Sequence, residues 1–195
     1  LGPSPEASAQ DKPRDGGEVI VVVAAEPPGF DGHREETFAM LHRVGPHYNT
    51  LLRVDPFDRT GTKFIGDLAS PWNWIYKADI LAKDPHWYEK NVMGTGPFTF
   101  GAYVRGSHWI GKINPDCWDK GKPYLDGYHA IFIQDAGAQV AAIRGERAMI
   151  QFRGFTPAQR DTLVTALGSK ITVQESTWNC SIQVAMNQQK KPFDD

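Results

Sequence analysis

With 195 residues, 41% of them hydrophobic and 23% charged, the chain has the balance of a globular fold with one or two buried cores. Its formal net charge of −2 supplies no general attraction for phosphate backbones, and no Lys/Arg cluster is interleaved with aromatics, so nucleic acid is excluded as the expected partner. The longest apolar run, Val19 to Ala25, falls far short of the roughly 20 residues that a membrane-spanning helix needs.

Leu1 to Gly17 is rich in Pro, Ser, Ala, Gly and charge. It buries too little apolar surface to offset its ordering entropy, so it reads as a flexible lead. It lacks the basic start and apolar stretch of a signal peptide, which is the expectation for a mature amino terminus. Glu18 to Ala25 (E-V-I-V-V-V-A-A) is a β-branched run suited to a central strand covered on both faces, and Glu26-Pro27-Pro28-Gly29 forbids its continuation. From Glu35, residues Phe38, Leu41, Val44, Tyr48, Leu51 and Leu52 recur at helical spacing. Pro46 would remove the bond to the His42 carbonyl, so a kink or break is expected at Gly45-Pro46. Lys77 to Lys83 is a short helix that Asp84-Pro85 ends.

Gly94, Gly96 and Pro97 form a rigid turn, after which Phe98, Phe100, Ala102 and Val104 alternate with Thr99, Gly101 and Tyr103 as a half-buried strand does. Arg105-Gly106-Ser107 turns the chain into a second strand, His108 to Ile113, closed by Asn114-Pro115-Asp116. Tyr128 to Ile133 reads as a buried strand. Asp135 caps a helix from Ala136 to about Arg144, which Gly145 stops. Ala148 to Phe152 is another strand. Thr156-Pro157-Ala158-Gln159 is a capping box with proline at the first helical position, and Gly168 supplies the other end. Ile171 to Gln174 and Ser181 to Met186 finish as strands. The β-α-β-α-β order from Tyr128 predicts a mixed or parallel α/β sheet.

Candidate chemistry is sparse. No nucleophile with a base, no paired carboxylates in apolar surroundings and no phosphate loop is visible. G-T-G-P-F lacks the lysine and hydroxyl of a P-loop, and its proline removes an N–H that a phosphate cradle would use. His42 and His47 approach helical ligand spacing, but Gly45-Pro46 lies between them. His33 with Glu35 and Glu36 suits a solvated loop better than a cation site. The six tryptophans mostly suit cores, with Trp178 in S-T-W-N-C the candidate for a groove wall. Cys117 and Cys180 are too few for a disulfide network. They read as free buried thiols, with a pairing open in an oxidising compartment.

G-T-G-P-F followed by N-P-D-x-W-D-x-G-K-P-Y-L-D-G, together with Leu51-Leu52-Arg53-Val54-Asp55-Pro56 and Asp67-Leu68-Ala69-Ser70-Pro71-Trp72, resembles the extracytoplasmic solute-binding proteins of the peptide and nickel class (family 5) that serve ABC transporters. The resemblance covers Glu18 to Asp195, and only part of a full binding protein. Relatives carry a long segment between the D-L-A tryptophan and the helix before G-T-G-P-F, whereas here Trp72 runs directly into Asn73. That implies either a large internal deletion or omitted residues at 72–73. The chain also stops where relatives enter their second lobe.

The resemblance implies an α/β, periplasmic-binding-protein-like (type II) fold comprising much of lobe I, with a mixed sheet flanked by helices. It implies capture of a peptide, or of another small solute such as a nickel chelate or glycan, for an ABC transporter membrane permease. The implied protein is a monomer without cofactor or catalytic residues, periplasmic or otherwise extracytoplasmic. The loop after the first strand would touch the ligand, which puts Glu36, Thr37 and Phe38 at the cleft. Trp178, Asn179 and Cys180, in the segment running toward the hinge, would wall it. The rivals are a small α/β enzyme such as a hydrolase, against which the lack of a nucleophile elbow speaks, and a truncated interaction module without a transport role.

Overall fold

β1, Glu18–Val23, is β-branched at every position after Glu18, and its neighbours use both of its faces. In the computed structural model, which describes residues 14–35, 37–49, 52–55, 63–66, 74–151 and 154–174, Val21 and Val23 enter one hydrophobic core. Val22 enters a second core on the opposite face. The period-2 geometry of a strand makes that division.

The remaining elements are α1 (Phe38–Val44), β2 (Leu52–Val54), β3 (Phe64–Gly66), α2 (Ala78–Lys83), β4 (Phe98–Val104), β5 (His108–Ile113), β6 (Gly127–Phe132), α3 (Ala136–Arg144), β7 (Ile150–Gln151) and α4 (Pro157–Leu167). The main sheet has the order β4-β5-β6-β1-β7, and β2 with β3 forms a separate antiparallel pair. β1 lies parallel to both β6 and β7, while β4, β5 and β6 run antiparallel. The sheet is therefore mixed, and helices cover it on both faces. The first core gathers Met40, Val44, Tyr48, Trp74, Tyr88, Trp109 and Tyr128; the second gathers Ala142, Ile143, Ala148 and Leu163 from α3, α4 and the turn between α3 and β7.

Local chemistry explains most boundaries. Asp135 accepts from the Ala138 N–H at 2.7 Å and starts α3. Thr156 and Gln159 close a reciprocal capping box on α4. The β4–β5 turn places Gly106 at φ 74°, where a Cβ would be strained.

Three expectations are corrected. The helix starts at Phe38 rather than Glu35, because the Arg34 and Glu35 N–H groups both turn back to the Asp31 carbonyl and the Glu35 carboxylate takes the Thr37 N–H at 2.9 Å. It ends at Val44. Gly45–His47 tightens to a 3-10 turn and Tyr48 becomes extended, as the proline demands. Within β4 the pairing slips between Phe100 and Ala102, leaving Gly101 as an extra residue. After the bulge Tyr103, instead of Val104, packs with Phe98 on the core, and Phe100 and Val104 are exposed. Finally, Ile171 to Gln174 forms no strand. Ile171 packs against the α3–α4 core, so it serves as a plug behind the helices.

The predicted strand Ala148 to Phe152 is realised over Ile150–Gln151. Phe152, the expected strand Ser181 to Met186 and the 72–73 junction lie outside the described residues.

Candidate functional site

α1 is anchored at its C-terminal end by a buried polar knot. His47 takes the indole proton of Trp109 on Nε2 at 3.0 Å, and its Nδ1 lies 2.8 Å from the Phe98 carbonyl. Trp109 can only donate, so Nε2 is the acceptor and Nδ1 carries the proton that Phe98 receives. Tyr128 donates to the Arg43 carbonyl, and its oxygen lies 2.9 Å from the same Nε2. Burial pushes the His47 imidazole down to about 4, so it is neutral at physiological pH. The histidine raised as a possible metal ligand beside His42 thus has both ring nitrogens committed to the fold.

The G-T-G-P-F turn closes over this knot. The Gly96 N–H donates to the His47 carbonyl at 3.0 Å, and the Gly96 carbonyl accepts from Asn114 Nδ2 at 2.7 Å. A Cβ on Gly96 would lie 2.5 Å from the His47 carbonyl carbon, and one on Gly94 would lie 2.2 Å from the His47 oxygen. Both glycines are present because backbone passes against backbone.

With that end of α1 fixed, its other end meets the C-terminal end of β1. Between them lies a cavity of about 400 Å³ lined by Val22, Val23, Ala24, Ala25, Thr37, Phe38, Ala39, His42, Arg43 and Gln151. This is the position at which open α/β sheets bind ligands, outside the carboxyl ends of parallel strands. A larger groove of about 630 Å³ is lined by Glu26 to Phe30, the loop that follows, with Glu89, Lys90, Tyr103 and Arg105. It is wider and more polar, and its carboxylates are already engaged: Glu26 takes Tyr103 Oη at 2.6 Å and the Gly106 N–H at 2.8 Å, and Glu89 pairs with Arg34 and His86. The smaller cavity, apolar with a few polar groups, better fits a binding site.

Of the expected site residues, Thr37 and Phe38 line this cavity. Glu36, Trp178, Asn179 and Cys180 lie outside the described residues, and Cys117 is a buried free thiol. Sequence reasoning missed Arg43 and Gln151. Arg43 is 1% exposed, and it had a signal: Met40, Arg43, Val44 and His47 stand at i, i+3, i+4 and i+7, the true buried stripe of this segment. The stripe read from hydrophobicity shares Val44 with it and includes the buried Tyr48, but it begins at Phe38, which is exposed. Gln151 sits on β7 with its amide donating to Gln139 Oε1 at 3.1 Å.

The other polar cluster near this loop is structural. His33 stacks on Tyr76 at 4.2 Å with Nε2 2.8 Å from the Trp74 carbonyl, and Tyr76 Oη donates to Asp31 at 2.9 Å. Among the described residues, no group of three or more His, Cys, Asp or Glu side chains is placed to hold a metal ion.

Residues 19–195 match the bacterial extracellular solute-binding proteins, family 5 Middle. The chain belongs to this family. Its members are binding proteins that act outside the cytoplasm. A probable ABC transporter-binding protein of Deinococcus radiodurans is 41% identical over 58 residues, 26% of this chain and 10% of that protein. The oligopeptide-binding protein AppA of Bacillus subtilis, solved with a nonapeptide, superposes with TM-score 0.65 at 16% identity over 80% of this chain and 47% of its own. The dipeptide-binding protein of Pseudoalteromonas sp. SM9913, solved with Met-Leu, gives TM-score 0.71 at 12% identity over 92% of this chain and 55% of its own. The fold is thus that of the solute-binding proteins, and this family-5 chain spans about half the length of these solved relatives.

Proposed function

We propose that this family-5 chain is the substrate-binding part of an ABC importer, contributing much of one lobe of a two-lobed protein that captures a peptide or similar small solute outside the cytoplasm. The observation that carries the reading is the cavity between the C-terminal end of β1 and Thr37–Phe38, in a fold shared with proteins solved around peptides. Ala24 and Ala25 extend past the paired part of β1. The Ala24 backbone groups and the Ala25 N–H suit sequence-independent bonds to an extended peptide, with the Phe38 ring as an apolar wall. Closure of a second lobe would complete the site, and Trp178 with Asn179 would line the cleft on the path to the hinge. A membrane permease would then receive the solute from the monomeric binding protein.

Calorimetry with a mixed dipeptide and tripeptide library, on full-length protein of confirmed intact mass, tests this. Heat of binding that falls about tenfold or more in affinity in Phe38→Ala, with the melting temperature held, is the expected result. Absence of heat with every peptide would move the assignment to a non-peptide solute.

A further inference from the structure

Arg43 is the feature of this cavity that the fold does not account for. The residue is 1% exposed, yet its Nε and Nη1 have no hydrogen-bond partner. Nη2 donates to the Ala25 carbonyl, and the guanidinium carbon sits 4.9 Å from the centre of the Phe132 ring. A buried charge ordinarily has a counterion. Here no carboxylate among the described residues forms an ion pair with it. Glu26, the acid that acts on it across space, is already bonded to Tyr103 and Gly106 and faces the other groove. Glu35 is held by the Thr37 N–H and Asp31 by Tyr76. None of the described residues that line the cavity is acidic. Burial lowers the Arg43 guanidinium to about 10, which leaves it fully charged at neutral pH.

Resting on the reading that this cavity takes a solute, we propose that Arg43 makes it selective for an anionic one, with the solute's carboxylate, such as the free carboxyl terminus of a peptide, facing the guanidinium. The solute then supplies the counterion that the described residues lack. Charge-assisted bonds from a guanidinium to a carboxylate are among the stronger polar contacts, and Arg suits a desolvated site better than Lys.

The test is calorimetry of the full-length protein with Ala-Ala-Ala as the free acid and as its C-terminal amide, repeated on Arg43→Lys and Arg43→Met. The free acid should bind wild type about 10- to 100-fold more tightly than the amide. Arg43→Lys should keep part of that preference, and Arg43→Met should abolish it while its melting temperature is held or rises, because an uncompensated buried charge has been removed. Equal affinity of acid and amide in wild type would overturn the inference and leave peptide capture standing, whether or not the variants fold. A preference that survives in Arg43→Met would also overturn it. If neither form binds wild type, the comparison is made with the free acid and amide of a library peptide that does bind, and if no library peptide binds, the peptide reading and this inference fall together.

Discussion

His47 and Trp109, 62 residues apart in sequence, share one buried hydrogen bond of 3.0 Å that ties the 3-10 turn after α1 to the β4–β5 hairpin. The bond requires a neutral imidazole, and the low pKa of about 4 has burial as its main cause. The folded protein therefore binds fewer protons at this site than the unfolded chain between about pH 4 and the ordinary histidine value of about 6.5. The stability this contributes is complete above the unfolded value and is lost as pH falls toward 4. Urea denaturation at pH 7.5, 5.5 and 4.5 should show a fall on the order of 3 kcal/mol attributable to this residue. A His47→Gln variant should be less stable at neutral pH and lack that share of the slope. An unchanged slope in the variant would assign the pH dependence elsewhere.

Gly96 and Gly45 make a matched pair of tests. A methyl group on Gly96 meets the His47 and Tyr48 backbone at 2.5–2.6 Å, whereas Gly45 has a helical φ of −50° and nothing within 4 Å of an added Cβ. Gly96→Ala should cost about 1–3 kcal/mol or more by overpacking. Gly45→Ala should cost less than Gly96→Ala, because the gain through the unfolded state is offset only by the αR conformation this residue holds directly before Pro46. Thermal or urea unfolding of the two variants checks the contrast, and equal effects would contradict the packing assigned to G-T-G-P-F.

Thr156 carries the α4 cap, and Leu163 on that helix is buried against α3. Thr156→Ala should cost about 1 kcal/mol and leave ligand binding unchanged, because α4 lies on the sheet face away from α1. Chemical denaturation and calorimetry together read both halves of that expectation.

Much of this fold is legible in the residues because local signals and tertiary contacts agree. The valine run of β1, the Asp135 and Thr156 caps and the Arg105-Gly106-Ser107 turn each have a short-range cause, and the structure places them as those causes require. Where the reading slipped, a long-range contact decided. The β4 bulge is set by pairing with β5, and the fate of Ile171 is set by the α3–α4 core. The site was harder to read. The family resemblance pointed to Thr37 and Phe38, which line the candidate cavity, and hydrophobic periodicity passed over Arg43 because that method counts charged residues as surface. A charged residue at i+3 between Met40 and Val44 was the available warning.

The measurement that tests the account most directly is hydrogen–deuterium exchange on the full-length protein with and without a saturating peptide found by calorimetry. Ligand-induced protection should fall on the segment after β1 through Ala25 and on Thr37 to Arg43, with the β4–β5 turn and α4 unchanged. Protection confined to the larger groove around Pro28, Glu89 and Arg105, with none at Thr37 to Arg43, would contradict the placement of the binding site.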